Sequence, residues 1–342
     1  MSTITATEIV LPGKVDPEGL LTQTRTLPAP AAGQVVVRME ATGVSFAEQQ
    51  MRRGKYYDQP AFPFVPGYDI VGVVEAVGPG VDKSLEGTRV AALTKVGAWS
   101  THMLLPADSV IPVPDGVEPA EAETLVVNGI TAWQMLHRVA KVRAGQTVLV
   151  LGANGGVGST LVQLAKAAGI RVIGTASPRH HDAIRALGAE PLDYRAPDLT
   201  AQVRALAPAG VDAVFDHVGG DGINDSFRLL APGGALVSYG TAATRDQEGS
   251  SKLPVLKLFA RLMLWNVLPN GHRATFFNIW TGARNATAFK GRLREDLTEV
   301  FKLLADGTLK AQVAARIPLA DAPAAMKLAE SGTVAGKVIL VP

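Results

Sequence analysis

The sequence predicts an α/β protein: a doubly wound parallel sheet with helices on both faces, joined to a second, β-rich domain. Three observations predict it. The chain has 342 residues, about two domains at ~150 residues each. From residue 148 onward, short apolar runs alternate with helical stretches, the spacing of a parallel sheet covered by helices. A Gly-rich turn joins the first of these runs to the helix after it.

In chain order, residues 1–10 carry Glu8 with scattered Ser and Thr, and lack the basic stretch and apolar core of a secretory signal. Short β-branched runs at 34–39, 70–77 and 89–93, separated by turn signals such as Pro79-Gly80, read as strands of the β-rich domain. At Pro119 the texture changes, and 120–125 and 131–140 read as helices. Residues 148–151 form a continuous apolar run, the pattern of a strand buried on both faces. Then follow a helix over about 158–168, a strand over 171–174 and a helix over about 179–187. Strands are expected at 211–216 and 235–239, the latter entered through a turn at Pro232-Gly233-Gly234. Residues 253–268 are apolar, with Lys257 and Arg261 four apart, and predict a helix that either walls a ligand pocket or covers core or dimer surface. The β-prone stretch 274–280 precedes a helix at 292–304, and the apolar strand 337–341 returns to the first domain. The expected domains are 1–126 with 284–342, and 127–283.

Composition narrows the function classes. Charged residues are 19% and hydrophobic ones 47%, which suits a folded chain. Lys plus Arg number 33 against 31 Asp plus Glu, so no strong field marks a nucleic-acid or anionic-membrane partner. There is no cysteine, which removes disulfides, thiolate nucleophiles and sulfur-ligated zinc, and fits a cytoplasmic location. The six histidines show no metal-ligand spacing. Residues 253–268 are too short and too charged to cross a bilayer.

The turn Gly152-Ala153-Asn154-Gly155-Gly156-Val157-Gly158 follows directly on the apolar run and opens a helix containing Leu161 and Leu164. Glycines admit a pyrophosphate close to the backbone, and the helix N-terminus offers unpaired N–H groups, so the turn reads as the start of a Rossmann-type dinucleotide site, the alternative being a tight strand-to-helix connection. NAD sites place an acid at the end of the second strand to hold the ribose hydroxyls. Here no acid occurs between Gly152 and His181; the strand ends Gly174-Thr175-Ala176-Ser177-Pro178-Arg179-His180. Hydroxyl, guanidinium and imidazole groups suit a 2′-phosphate and predict NADPH, the alternative being a solvated helix start.

Beyond that turn, the chain carries Ser45-Phe46-Ala47-Glu48, Arg53-Gly54-Lys55-Tyr56, Phe64-Val65-Pro66-Gly67-Tyr68-Asp69, Val211-Asp212-Ala213-Val214-Phe215-Asp216 and Pro232-Gly233-Gly234 leading to Val237-Ser238-Tyr239-Gly240. In this order and spacing they resemble the zinc-independent quinone oxidoreductase branch of the medium-chain dehydrogenase/reductase superfamily, which includes zeta-crystallin. Zinc-dependent relatives hold their metal with a Cys and a Gly-His-Glu element. Here Val44-Ser45-Phe46 and Gly67-Tyr68-Asp69 stand there instead.

The resemblance implies a GroES-like catalytic domain beside the NADPH domain, a small-molecule quinone or enone substrate, and hydride transfer without a metal. It implies catalytic roles for Tyr56, as a donor to a developing oxyanion, and for Ser45, where the family usually has Asn. Tyr56 otherwise fills space beside Tyr57 and Phe62. Cofactor contacts are expected from Asn128 and Thr131, from Ala153, Asn154, Gly155, Gly156 and Val157, from Gly174, Thr175, Ser177 and Arg179, from Tyr194, and from Val218, Tyr239, Gly240 and Thr241. Asn128 is otherwise a helix cap, Thr131 a core residue and Tyr194 an ordinary strand-end residue. The family further implies a homodimer in which the segment at 274–280 pairs across a two-fold axis, the alternative being a strand buried in its own subunit. Competing functions are an enoyl-thioester reductase and a non-catalytic NADPH-binding regulatory protein.

Overall fold

In the computed structural model, which describes residues 4–244 and 252–342, the chain opens on an antiparallel hairpin, β1 (Ile4–Val10) with β2 (Leu21–Leu27). The first three residues of the stretch read for a signal lie outside the described residues. There follow β3 (Gln34–Val44), α1 (Phe46–Arg52), β4 (Asp69–Val77), β5 (Arg89–Leu93), β6 (His102–Pro106) and β7 (Ile111–Pro112). Next come α2 (Pro119–Thr124) and α3 (Val127–Trp133), which continues as a π-helical stretch, Gln134–Ala140. The second half runs β8 (Thr147–Val150), α4 (Gly156–Ala167), β9 (Arg171–Ala176), α5 (His181–Leu187), β10 (Ala189–Asp193), α6 (Leu199–Leu206), β11 (Val211–Asp216), α7 (Ile223–Arg228), β12 (Leu230–Ser238), α8 (Lys252–Val267) and β13 (Arg273–Phe276). The chain closes with α9 (Ala286–Ala305), β14 (Val313–Pro318), α10 (Ala322–Glu330) and β15 (Lys337–Val341).

Two compact units result: residues 1–130 with 284–342, and residues 131–283. The division falls within α3, four residues beyond the boundary expected from the sequence, so Asn128 belongs to the first unit and Thr131 to the second.

The second unit is a six-stranded parallel sheet in the order β10-β9-β8-β11-β12-β13. Numbered from its first strand this is 3-2-1-4-5-6, the doubly wound order whose ligands collect where the winding reverses, between β8 and β11. Leu149, Ile173, Val214 and Leu236 pack with Leu258 and Leu262 of α8 and with Ala274 of β13. The residues Pro232-Gly233-Gly234 lie inside β12 and are not a turn into it. Pairing moves from Val211 with Leu230 to Ala213 with Ala235, so these residues form a bulge.

The first unit is built on a seven-stranded sheet in which β15 sits between β14 and β3, and β4, β5 and β7 continue outward while β6 also pairs with β3. Val338, Ile339 and Leu340 are buried, as a strand with neighbours on both sides requires. Helix α9 buries Phe289, Leu293, Leu297, Val300 and Leu304, at steps of three and four. Among the described residues no helix is long and apolar enough to cross a membrane.

Candidate functional site

The C-terminal ends of β8, β9, β11 and β12 carry the nucleotide-type site of the second unit. After β8 the backbone turns at Gly152, whose φ of +67° suits glycine. Ala153 N–H donates to the Thr175 carbonyl at 2.9 Å and Gly152 N–H to the Thr175 hydroxyl at 3.2 Å, so the turn is tied to the end of β9. A Cβ on Gly158 would lie 2.2 Å from the Gly152 carbonyl oxygen; on Gly155 it would meet only that oxygen, at 3.4 Å. Gly155 is the N-cap of α4 and offers no capping side chain, which leaves the first-turn amides of Gly156 and Val157 to an outside acceptor. The cradle therefore has the dimensions and donors for a pyrophosphate.

Gly174, expected to contact the cofactor, is buried, and a Cβ there would come 2.8 Å from the Ala153 methyl. Its glycine is required by packing between β9 and the turn. Ser177 and Arg179 follow at the end of β9, with Arg179 exposed. His180 is buried, its Nε2 without a hydrogen-bond partner among the described residues, and burial together with Arg179 holds it below the usual histidine range. Tyr194 joins this group: its N–H donates to the Ala176 carbonyl and its ring lies under the Arg195 guanidinium at 5.0 Å.

The end of β11 supplies a residue that sequence reasoning missed. His217 Nδ1 lies 3.0 Å from the Leu151 carbonyl oxygen, which can only accept, so Nδ1 carries the proton and Nε2 is left as an acceptor. Burial keeps this ring neutral. It packs against Gly152, where a Cβ would sit 2.4 Å from its Cε1. Asp216 pins the adjoining loop, accepting from Val218 N–H, Gly219 N–H and the Ser226 hydroxyl at 2.7–2.8 Å. Ala242 N–H donates to the His217 carbonyl and Ala243 N–H to that of Val218, which brings Tyr239, Gly240 and Thr241 alongside. The available signal was position alone, one residue before Val218 at a strand end.

In the first unit, Ser45 caps α1. Its hydroxyl accepts from Ala47 N–H, its N–H donates to Glu48 Oε2 at 2.9 Å, and its hydroxyl also bonds Glu48. Glu48 is buried and its carboxyl is pushed above the usual range, chiefly by burial. Its other oxygen accepts the Tyr68 N–H at 2.7 Å, and the Tyr68 hydroxyl lies 2.8 Å from that of Tyr56. The two residues expected to be catalytic, Ser45 and Tyr56, are thus linked through Glu48 and Tyr68. Phe62 stacks on Phe64, whereas Tyr56 pairs with Tyr57 and Tyr68.

Beside them lies a buried ionic cluster. Lys337 Nζ donates to both oxygens of Asp69, at 2.8 and 2.9 Å, and to Glu123 Oε1 at 2.8 Å. Asp69 Oδ2 also accepts from Val127 N–H at 2.9 Å, fixing the start of α3. Asn128, the next residue, is buried and donates its side-chain amide to the Thr124 carbonyl at 2.9 Å. Thr131, in the same helix, is buried as well. Among the described residues no group of three or more His, Cys, Asp or Glu is arranged to hold a metal ion.

A parallel sheet wound 3-2-1-4-5-6 with a Gly-rich cradle at its switch point, in one chain with a β-sheet unit, defines a two-domain dehydrogenase. Residues 31–115 match the alcohol dehydrogenase GroES-like domain and residues 187–340 the zinc-binding dehydrogenase family. The human synaptic vesicle membrane protein VAT-1 homolog is 33% identical over 325 residues, covering 92% of this chain and 80% of that protein. A quinone oxidoreductase of Pseudomonas syringae superposes with a TM-score of 0.84 at 32% identity, covering 98% of this chain and all of that one. The Escherichia coli quinone oxidoreductase complexed with NADPH does so at 0.85 and 27%, with the same coverage. The chain belongs to the zinc-independent quinone oxidoreductase branch of the medium-chain dehydrogenase/reductase superfamily.

Proposed function

We propose that this protein is an NADPH-dependent oxidoreductase that reduces quinones or α,β-unsaturated carbonyl compounds without a metal. The observation that carries this reading is the cradle of Gly152, Gly155 and Gly158 at the switch point, followed by Ser177 and Arg179 in place of a ribose-binding acid. When bound, NADPH supplies a hydride to an acceptor activated by its own conjugation. The amides of Gly156 and Val157 hold the pyrophosphate, with Ala153 and Asn154 forming the turn. Ser177 and Arg179 receive the 2′-phosphate, with Thr175 anchoring the turn and Tyr194 beside the adenosine. Val218, Tyr239, Gly240 and Thr241 line the switch point, where the neutral His217 offers an acceptor to a ribose hydroxyl. Asn128 and Thr131 are cofactor contacts in this reading, as the family resemblance implies. Tyr56 donates a hydrogen bond to the oxyanion that develops on the acceptor.

We further propose a homodimer. The edge of β13 does not favour pairing across a two-fold axis at Ala274, because Asn266 of α8 occupies both its N–H and its carbonyl, at 2.9 and 2.6 Å. The apolar face of α8 supports the dimer instead: Leu256, Phe259, Met263 and Val267, at steps of three and four, are all exposed.

The test is a screen of NADPH oxidation over quinones, enones, aldehydes and enoyl thioesters. Turnover of simple quinones or enones is the expected result. Turnover confined to enoyl thioesters would assign the chain to acyl chemistry, and NADPH binding with no turnover of any acceptor would make it a regulatory protein.

A further inference from the structure

Tyr68 occupies the place where zinc-dependent relatives put a metal-binding histidine, and its hydroxyl lies 2.8 Å from that of Tyr56. The two rings meet edge to face, 6.4 Å between centroids at 83°. Their surroundings differ. Tyr68 is 3% exposed and its main chain is held from both sides: its N–H donates to Glu48 Oε1 at 2.7 Å, and its carbonyl accepts from Thr94 N–H at 2.8 Å and Lys95 N–H at 3.2 Å. Gly67 before it has a φ of +111°, and a Cβ there would sit 2.5 Å from the Trp99 nitrogen, so the turn that aims Tyr68 admits no alternative. Tyr56 lies in an irregular stretch after α1, partly exposed and outside any regular element. Its direction is therefore set by the side chains around it.

We propose that Tyr68 is a positioning residue for Tyr56, donating its hydroxyl hydrogen to the Tyr56 oxygen so that Tyr56 presents its own O–H to the acceptor. This rests on the reading of Tyr56 as the oxyanion donor. The direction of the bond follows from the chemistry of a phenol, which has one hydrogen. Once Tyr56 gives that hydrogen to the acceptor oxygen, its own oxygen can only accept, and of the two hydroxyls in reach that of Tyr68 is the closer, at 2.8 Å against 3.5 Å for Tyr57. Two such bonds in series polarise one another, strengthening the outer one as negative charge develops. Burial, and next the neighbouring Tyr68, hold the Tyr56 hydroxyl well above the usual phenol range. Tyr56 thus keeps its proton and acts by hydrogen bonding.

Tyr68→Phe keeps the ring and removes the hydroxyl, so packing alone predicts no change. We would measure steady-state NADPH oxidation by 1,4-benzoquinone in the full chain, in Tyr68→Phe, in Tyr56→Phe and in the double variant. Tyr68→Phe should lower kcat about tenfold with the KM for NADPH unchanged, and the double variant should be no slower than Tyr56→Phe alone. In protein carrying 13C at the tyrosine Cζ, Tyr68→Phe should also move the Tyr56 resonance, a readout that needs no turnover. An unmoved resonance, unchanged kcat in Tyr68→Phe, or the same tenfold loss on top of Tyr56→Phe would overturn the proposal. Full kcat in Tyr56→Phe would overturn the donor role of Tyr56 itself, and the proposal with it.

Discussion

Gly155 and Gly158 are three residues apart, yet a methyl group added to each meets different things. At Gly158 it strikes the Gly152 carbonyl oxygen at 2.2 Å, so the turn itself must move; at Gly155 the nearest atom is at 3.4 Å and the backbone φ of −76° suits any residue. Gly158→Ala should therefore lower the melting temperature of the second unit. Gly155→Ala should melt like the parent but bind NADPH at least about tenfold more weakly, since its methyl stands where a phosphate must approach. Cofactor titration by fluorescence beside a thermal melt separates the two, and unchanged affinity in Gly155→Ala would contradict the cradle. A second residue-scale expectation concerns Arg179. Removing a charged partner of the 2′-phosphate costs about 1.5–3 kcal/mol, so Arg179→Ala should raise the KM for NADPH tenfold or more and leave that for NADH nearly unchanged. Equal effects on both would remove the 2′-phosphate role. The glycines and Arg179 were legible in the sequence because one strand, one turn and one helix place them. His217 and Tyr68 were not. The first matters through its contact with Leu151, 66 positions away. The second matters through Glu48 and Tyr56, and nothing local marks either pairing.

At the scale of the element, α8 shows how far periodicity carries. Its apolar residues predicted a helix with two possible employments, and the structure divides them by face. Leu258 and Leu262, one turn apart, pack into the core, and Trp265 stacks on Phe227 with ring centroids 4.1 Å apart and planes 7° from parallel. Met263, two residues earlier, is 69% exposed. Trp265→Ala should thus lower stability, by less than the ~3–5 kcal/mol of a fully buried Trp because Trp265 is half-buried, with the ratio of rates on large and small quinones unchanged. A changed ratio at full stability would put Trp265 in the acceptor pocket. The strand after α8 was read over seven residues, but only Arg273–Phe276 pairs, parallel to β12. Phe277 already donates to the Ser238 carbonyl beyond the ladder, and a turn follows at Asn278. A β-prone composition does not reveal where a sheet stops offering partners.

For the molecule as a whole, the buried cluster of Lys337, Asp69 and Glu123 governs how stability depends on pH. One ammonium faces two carboxyls, and burial, followed by the charge of Asp69, raises Glu123 well above its ordinary value of 4.5. A carboxyl raised on folding binds its proton more tightly in the folded state. Its contribution is complete below about pH 4.5 and is lost as pH rises through the folded-state value. Glu48 shifts the same way and adds to the trend. Glu123→Gln resembles the protonated form at every pH, so its melting temperature should fall less than the parent's between pH 5 and pH 8. Parallel curves would show that Glu123 is ionised in the native state. Oligomeric state is tested at this scale too. Light scattering at micromolar concentration should give twice the chain mass, and Met263→Asp should lower it toward the monomer by placing a charge on the apolar face of α8. Two domains and their order were readable from the repeating strand-helix pattern. The ionic cluster was not, because its three members stand 54 and 214 positions apart and meet only when the first sheet closes.

That closure has a consequence for how the protein is made. The strand β15 lies between β14 and β3, so the first unit gains its sheet continuity, and the ammonium that offsets Asp69 and Glu123, only from residues at the far end of the chain. The second unit, 131–283, is continuous. During synthesis from N- to C-terminus it is complete before its sequence-earlier companion, reversing the usual rule that the domain emerging first folds first. Until then β3 has no β15 beside it and two acidic side chains await their cation. The nascent chain must hold roughly its first 130 residues in waiting, a period in which the edge of β3 at residues 42–44, though β3 is paired with β4 on its other side, is open to aggregation, while the nucleotide-type sheet is already free to fold.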